Sequence, residues 1–319
     1  MNKHTRLQET SPTAASRILT YAGVWFAVLA WGISFVAARF LLHPETANQA
    51  TLSPTVLAAA RFSIASLFFA VPVARALLQH QIARYDLLRM ALLGQLAFSL
   101  YFWLQYTGVQ QTNASISSIL VVGLIPVVTA LLAQLLGRER LSWTILAALL
   151  LGFIGVTIIV LQRSLTVTLA SGFLFGALCL VSNAFAFAVY STLSKRWMQS
   201  VSPLVMTGGT MISGAAGLVL LSLLDPLRNQ WSEVVRLDTV QWMALLFLAL
   251  ICSVAAYFTY NIALSKIDAS RVAVYIYFEP VVAVLFGVTL LGEPLNWQII
   301  AGAVAIAGSV AIVNLVKRK

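Results

Sequence analysis

The sequence predicts an all-α, polytopic membrane protein in which ten transmembrane helices form two inverted five-helix repeats. Three observations predict this fold class. Apolar residues make up 60% of the 319 residues and charged residues only 9%, whereas soluble domains carry about 25% charged residues. Apolar runs of about twenty residues, long enough to span a bilayer as a helix, recur along the chain. Finally, a segment in the middle of the chain is repeated near its end.

This composition excludes a soluble enzyme, a DNA-binding domain, a coiled coil and a disordered chain. The net charge of +10 is therefore interpreted as basic residues at cytoplasmic helix ends and not as a nucleic-acid surface. Cys179 and Cys252 both lie inside apolar runs, where lone thiols act as small packing residues, and they form no metal-binding spacing. We therefore expect neither a cofactor nor a metal site.

The apolar runs place the spans and the ends of the chain. The predicted spans are Tyr21–Leu41, Pro54–Val73, Leu87–Gly108, Ser115–Leu136, Trp143–Leu161, Gly172–Leu193, Pro203–Leu224, Val240–Tyr260, Ala269–Leu291 and Trp297–Val316. Residues 21–162 form the first repeat and 163–316 the second, between tails at 1–20 and 317–319.

The basic residues predict the orientation. With a cytoplasmic N-terminus, fourteen of the 20 Lys and Arg lie inside, two lie within spans, and four lie outside, namely Arg39, Arg163, Arg228 and Arg236. Because inner loops carry the excess of basic residues, both termini are expected in the cytoplasm.

An internal repeat relates the two halves. An offset of 154 superimposes Pro126-Val127-Val128 on Pro280-Val281-Val282 and Trp143 on Trp297, and an offset of 155 matches Ala114-Ser115 to Ala269-Ser270. Since each half has an odd number of spans, the second half is predicted to be inserted upside down. Inverted repeats are typical of secondary transporters, in which two similar halves exchange conformations around a midplane site.

With these features the chain resembles the drug/metabolite transporter superfamily, in its ten-helix EamA-type branch. The matching residues are Trp31-Gly32-Ile33-Ser34-Phe35, Arg61-Phe62 and the paired Pro…Leu-Gly-(Arg)-Glu segments. The resemblance implies export of small metabolites, amino acids or drugs across the bacterial inner membrane. The chain departs from the family pattern by an extra residue in Gly137-Arg138-Glu139 and by the absence of a Trp-Gly pair from the sixth span.

Glu279 is the most informative single residue. It lies ten residues into the ninth span, next to Pro280, and its counterpart at the 154 offset is Ile125. A carboxylate at that depth costs at least ~2.5 kcal/mol to insert, so it should face the bundle interior or a wet cavity. Three roles remain open: a proton-binding site, a site for the amine of a substrate, and an ion pair with an arginine such as Arg61.

The remaining candidates are polar or aromatic side chains within the spans, which need internal partners or water. Arg61 could hold a substrate carboxylate or extend to the inner interface. The predicted substrate-binding residues are Trp31, Ser34, Arg61, Gln95, Tyr101, Asn183, Tyr257, Tyr275 and Glu279. An apolar, aromatic cavity of this kind suits a zwitterionic or weakly polar solute. In contrast, Tyr106, Tyr260 and Trp143 are expected to be interfacial anchors.

Pro126 and Pro280 form a matched pair of prolines inside spans. Each removes a backbone donor and frees a carbonyl near mid-membrane, so we predict that both are hinges. The alternative is a passive kink needed for packing.

The leading functional prediction is a secondary exporter that works by alternating access. It would be driven by a proton gradient or by the gradient of the solute, because the chain has no GxxxxGK[ST] motif. A channel or lipid-handling protein on the same scaffold is the alternative. An enzyme is not expected, because the chain has no HExxH motif and His4, His43 and His80 lie outside the spans. The expected partners are a small-molecule substrate, the bilayer and, for proton-driven export, protons. A monomer and a homodimer fit equally well, and no nucleic acid is expected.

Overall fold

The computed structural model describes residues 14–42, 50–111, 119–137, 139, 141–161, 172–224, 231–291 and 296–315. Both predicted tails therefore lie at least partly outside the described residues. So do the Ala114-Ser115 segment and residues Gly292 and Glu293 of the second Pro…Leu-Gly-Glu segment.

The fold is all-helical within these ranges. The helices are α1 (Ala14–Leu42), α2 (Pro54–Leu78), α3 (84–111), α4 (119–135), α5 (Trp143–Leu161), α6 (Phe173–Trp197), α7 (Pro203–Leu224), α8 (Thr239–Lys266), α9 (269–291) and α10 (Trp297–Leu315). A single turn of helix, Trp231–Val235, lies between α7 and α8.

Nine of the described helices are long and apolar enough to cross a membrane, and the apolar part of α4, Leu120–Leu135, is shorter. Residues 112–118, immediately before α4, lie outside the described ranges. Together these helices confirm the predicted all-α, multi-pass fold. Several of them extend beyond the predicted apolar spans. For example, α8 continues to Lys266, six residues past the predicted end of its span.

Local signals fix where the helices start. Ser53 caps α2, since its hydroxyl accepts a hydrogen bond from the backbone N of Val56, and Pro54 follows at the first helical position. Asp238 and Gln241 form a capping box at the start of α8. The Gln241 side chain also donates to the carbonyl of Ala50 (2.7 Å), which ties the α1–α2 connection to α8.

The connections define two ends of the bundle. The α4–α5, α6–α7 and α8–α9 connections meet around Lys195, whose ammonium group lies 3.3 Å from Glu139 and donates to the carbonyl of Ile267 (2.7 Å). We call this end the Lys195 face and the opposite end, where Gln241 meets Ala50, the Asp238 face. Helix α1 ends at the Asp238 face, whereas its counterpart α6 ends at the Lys195 face, so the two halves are inverted.

The packing repeats with the same symmetry. Helices α2 and α7, α4 and α9, and α5 and α10 pack as counterpart pairs. Helix α1 packs on α8 and α9, and its counterpart α6 packs on α3 and α4. Exchanging the halves therefore maps this set of helix contacts onto itself, as a pseudo-two-fold relation requires.

Small residues allow α5 and α10 to touch along their backbones. A Cβ atom on Gly155 would lie 2.8 Å from the carbonyl oxygen of Gly302, and one on Gly302 would lie 2.7 Å from that of Gly155. Helices in lipid associate through such close van der Waals packing.

Four helices change their winding along their length. Helices α3 and α8 contain the π-helical segments Gln95–Leu100 and Phe247–Ala255. Helix α4 begins with the π segment Ile119–Gly123, and α9 contains the 3₁₀ segment Tyr275–Phe278. Helices α3 and α8 are counterparts, as are α4 and α9. At the 154 offset the irregular segments of each pair overlap. Irregular winding of this kind often marks functional positions in membrane helices.

Candidate functional site

Nine aromatic rings from α1, α2, α3, α6 and α8 form one connected group between the two halves. Neighbouring ring centroids lie 4.9 to 6.5 Å apart. We call this group the ring cluster; it consists of Trp31, Phe62, Phe98, Tyr101, Phe102, Phe187, Tyr190, Tyr257 and Tyr260. Three of the predicted site residues, Trp31, Tyr101 and Tyr257, are members.

Trp31 joins α1 to the second half. Its ring lies 5.1 Å from Tyr257 and 5.2 Å from Tyr260, with edge-on or tilted geometry. Its indole N–H donates to the carbonyl of Cys252 (3.0 Å), within the π segment of α8. The thiol of Cys252 in turn donates to the carbonyl of Ala30 (3.1 Å). Both native thiols are thus buried packing groups, and this one also links α8 to α1.

Arg61 is held by the same π segment. Its Nε donates to the Ser253 hydroxyl (2.7 Å) and its Nη2 to the Cys252 carbonyl (3.2 Å). The guanidinium group also lies 5.0 Å from the centre of the Phe62 ring. The Cys252 carbonyl thus accepts hydrogen bonds from both Trp31 and Arg61, which join the π segment of α8 to α1 and α2.

Glu279 does not pair with Arg61, whose guanidinium binds Ser253 and the Cys252 carbonyl instead, so an ion pair between these two residues is not present in this conformation. Only 8% of Glu279 is exposed, and its carboxylate has no hydrogen bond or ion pair with another described residue. Glu279 lies beside the ring cluster, because its backbone carbonyl faces Gly32, the residue after Trp31. A buried carboxylate beside the ring cluster is therefore without a partner among the residues that the structure describes.

The backbone at Glu279 touches α1. A Cβ atom on Gly32 would lie 3.1 Å from the carbonyl oxygen of Glu279 and would overlap the side chain of Val282. Gly32 directly follows Trp31 in the sequence. The absence of a side chain at this position thus allows α9 to approach the part of α1 that carries the ring cluster.

Both predicted hinge prolines lie next to a change of winding. Pro126 is the third residue after the π segment of α4, and Pro280 is the second after the 3₁₀ segment of α9. Both side chains are buried. This placement fits the expectation that each proline interrupts regular hydrogen bonding, while their role as hinges stays a prediction.

Tyr277 lies where α4 and α9 cross. Its hydroxyl group donates to the carbonyls of Gly123 (3.3 Å) and Leu149 (3.1 Å). Tyr277 and Gly123 are 154 residues apart, so they occupy equivalent positions in the two halves. The contact therefore marks the pseudo-two-fold axis, and Glu279 lies two residues from it.

A second buried group lies between the ring cluster and the Lys195 face. Asn261 donates to the hydroxyls of Tyr190 and Thr207 (2.8 Å each), and Ser191 and Tyr260 share a hydrogen bond of 3.1 Å. We call these five residues the polar layer. Tyr260 is fully buried, so its predicted role as an interfacial anchor is wrong. The reason is that α8 continues past the predicted end of its span, which leaves Tyr260 inside the bundle.

The other predicted residues have separate positions. Asn183 is fully buried and donates to the carbonyl of Tyr101 (2.6 Å), next to the π segment of α3. Ser34 is bonded within its own helix, to the carbonyl of Trp31 (2.6 Å). Gln95 lies on the exposed surface, where it ties α3 to Ser213 of α7 (2.7 Å), and it is not part of the ring cluster.

Tyr275 belongs to a further aromatic group on α1 and α9. Its ring lies 5.2 Å from Trp25 and its hydroxyl donates to Asn314 of α10 (2.8 Å). The other two predicted anchors differ: Trp143 is 86% exposed, as an interfacial residue should be, and the Tyr106 side chain lies outside the described set.

Sequence reasoning missed several members of the site, above all Phe187, Tyr190 and Asn261. Phe187 and Tyr190 contact each other's rings (5.9 Å) one turn apart on α6. Their spacing of three residues from Ala184 to Phe187 to Tyr190 places all three on one buried helix face. This three-residue periodicity is the sequence feature from which Phe187 and Tyr190 could have been predicted as site residues.

Comparison with known proteins agrees with the architecture. The model of the EamA-like transporter family matches residues 18–161 and 174–315, once for each half. An uncharacterized transporter of Archaeoglobus fulgidus is 26% identical over 86% of this chain and 90% of its own length. The uncharacterized transporter YyaM of Bacillus subtilis is 26% identical over 91% of this chain and 93% of its own length.

A probable terminal-alkyne amino-acid exporter of Streptantibioticus cattleyicolor is 25% identical over 91% of this chain and 92% of its own length. A solved crystal structure superimposes with a TM-score of 0.76 over 94% of this chain and 97% of that chain, and its 21% identity makes this a likeness of fold. With both halves matched by one family model, the chain belongs to the EamA-like transporter family and is a multi-pass membrane transporter.

Proposed function

We propose that the protein is a secondary transporter that exports small organic solutes, such as amino acids, related metabolites or drugs, across the bacterial inner membrane by alternating access. Its solute site lies between the two halves, beside the ring cluster and Glu279. Both termini face the cytoplasm, as the distribution of basic residues predicts.

The observation that carries this proposal is the buried carboxylate of Glu279, which has no partner in the described part of the chain. A buried charge is expensive unless it is paired, and charged residues within membrane spans mark substrate or ion pathways. The carboxylate lies next to an interrupted helix and close to the pseudo-two-fold axis, which is where transporters with inverted repeats bind their cargo.

The surroundings favour a cation as the occupant. Aromatic faces attract ammonium groups, by about 0.5–2 kcal/mol for each favourable contact. Trp31, Tyr257 and Tyr260 are rings of the ring cluster, which adjoins Glu279 where Gly32 of α1 touches α9. The occupant is the ammonium group of a solute or a proton. The amino-acid exporter among the relatives supports the first of these.

The test is solute exchange in proteoliposomes that contain the purified protein. Vesicles are loaded with a panel of amino acids, simple amines, neutral solutes and anionic solutes, and uptake of the labelled compound is measured at several concentrations. Saturable, stereoselective exchange is expected for solutes that carry an amino group. Flux that does not saturate and is equal for both stereoisomers would instead identify a channel.

A pH gradient separates the two occupants. If Glu279 binds protons during the cycle, an imposed gradient drives solute against its concentration difference. If it binds only the ammonium group of the solute, exchange proceeds at the same rate with and without the gradient.

A further inference from the structure

Glu139 joins the two halves of the protein at the Lys195 face. It lies between α4 and α5, in the first half, yet its carboxylate accepts hydrogen bonds from the backbone N of Ala269 and from the backbone N (3.1 Å) and hydroxyl of Ser270. These residues are the first two of α9, in the second half. The side chain of Glu139 is 6% exposed.

This contact replaces the cap that α9 lacks. Asp268 occupies the capping position of α9, but its side chain makes no capping hydrogen bond. The first N–H groups of a helix have no partners within it and carry partial positive charge, so a carboxylate bound there is stabilised by both effects. The start of α9 is thus held by a residue from the other half.

Lys195 completes the contact from the end of α6. Its ammonium group lies 3.3 Å from Glu139 and 3.4 Å from Asp268. A cavity of about 140 Å³ adjoins these groups and is lined by Glu139, Thr192, Lys195, Arg196, Gln199 and Asp268. A cavity of that volume, lined by charged and polar groups, is large enough to admit water. Water can therefore replace each of these hydrogen bonds when they break.

The polar layer lies beneath this contact. One of its atoms, Oδ1 of Asn261, is buried without a hydrogen-bond partner in the described part of the chain. Polar groups at such a position are costly in a permanently dry interior but suit a passage that fills with water. The layer also shares Tyr190 and Tyr260 with the ring cluster, so a passage along it reaches the neighbourhood of Glu279.

We propose that Glu139 is a positioning residue of the transport cycle, which keeps the Lys195 face closed by holding the start of α9 and which must release it to open a passage along the polar layer. This inference rests on the proposed function for the alternating-access cycle. In the conformation described here, the site is closed toward the Lys195 face.

Thiol labelling tests the proposal directly. A background protein carries Cys179→Ala and Cys252→Ser, and Thr207→Cys places a single reporter thiol in the polar layer. A membrane-impermeant thiol reagent is added to the Lys195 face of oriented membrane vesicles. Adding Glu139→Gln is expected to raise the labelling rate about tenfold, a shift typical of coupled conformational equilibria.

The matched control is Asp86→Asn. Asp86 lies on the same face, is similarly buried (5% exposed) and pairs with Arg89 (3.0 Å), but that pair lies within α3 alone. This control should leave the labelling rate unchanged. Equal, slow labelling of the Glu139→Gln protein and its parent would overturn the proposal, as would equal acceleration by Asp86→Asn.

A second variant covers the case in which Glu139→Gln does not fold. Glu139→Cys with Ser270→Cys, in the same thiol-free background, is treated with a short reversible bifunctional thiol reagent. Cross-linking should stop solute exchange and reduction should restore it, whereas undiminished exchange after complete cross-linking contradicts the proposal. Since labelling needs no solute, its result is independent of the exchange assay that tests the proposed function.

Discussion

Helices α4 and α9 occupy equivalent places in the two halves and differ in what they offer to the site. Both contain a buried proline after an irregular turn, at Pro126 and Pro280. Around those prolines, α4 has Gly123 and Ile125 where α9 has Tyr277 and Glu279. Both halves therefore have a proline after an irregular turn, whereas only the second half has the phenol and the carboxylate at these positions. Duplication supplies the symmetric scaffold, while the chemistry comes from one copy.

The largest expected effect comes from removing the charge that distinguishes the two helices. Glu279→Gln should lower solute exchange in proteoliposomes at least about tenfold, because each tenfold loss corresponds to only about 1.4 kcal/mol of binding and a charge-assisted contact exceeds that. Ile125→Val, at the equivalent position of α4, is the control and should exchange at the parental rate. If the Glu279→Gln protein exchanged solute at the parental rate, the carboxylate would not be part of the solute site.

Tyr277 is the second difference between α4 and α9, and its removal should destabilise the fold. Tyr277 is fully buried, and truncating a buried aromatic side chain to alanine costs about 3–5 kcal/mol in soluble cores. Tyr277→Ala should therefore lower the melting temperature in detergent far more than Tyr277→Phe. The second variant loses only a hydrogen bond, which contributes about 0.6 kcal/mol in membrane proteins. Similar melting temperatures for the two variants would show that the ring is not what holds the crossing together.

A substitution at Gly152 of α5 tests how tightly the Tyr277 ring is packed. A Cβ atom on Gly152 would overlap the Tyr277 ring, whereas one on Gly308 of α10 would make an ordinary contact with Leu151 at 3.4 Å. Overpacking of this kind costs about 1–3 kcal/mol. Thermal unfolding should accordingly show a loss for Gly152→Ala and almost none for Gly308→Ala, and equal losses would contradict the packing described here.

The smallest effect concerns the π segments of α3 and α8, which are also counterparts. Ser253→Ala removes an acceptor from the charged Arg61, while Ser99→Ala removes only a neutral hydrogen bond to the carbonyl of Gly214 (3.0 Å). Hydrogen bonds to charged groups contribute about 1.5–3 kcal/mol in soluble proteins, against about 0.6 kcal/mol for neutral ones in membranes. Unfolding in denaturant should rank the two variants in that order, and the reverse order would show that Ser253 is not a needed partner of Arg61.

The sequence predicts those features of the fold that depend on nearby residues or on composition. The starts of α2, α5, α7 and α10 lie where expected, because Pro54, Trp143, Pro203 and Trp297 begin the respective apolar runs. The inversion of the halves follows from the repeat and the odd number of spans. These signals are local or periodic, so a single sequence contains them.

The site depends on contacts that no single segment reveals. Arg61 and Glu279 are the two charges that a reader of the sequence would pair, yet Arg61 is bound to α8 through Ser253 and the Cys252 carbonyl. Gln95 has a polar side chain at a mid-span position but points to the exposed side of α3. Glu139 reads as part of a charged turn, and its binding to the start of α9 appears only when both halves are assembled. The direction of a side chain in a bundle is set by neighbours more than a hundred residues away.

The contact between Tyr277 and Gly123 has an evolutionary consequence. On an exact two-fold axis, as in a dimer of identical short chains, each residue meets its own copy. Two tyrosines would collide at that point, and two glycines would leave a hole. A large residue opposite glycine is thus open only to two copies that mutate separately, so the gene was duplicated before this asymmetric contact arose.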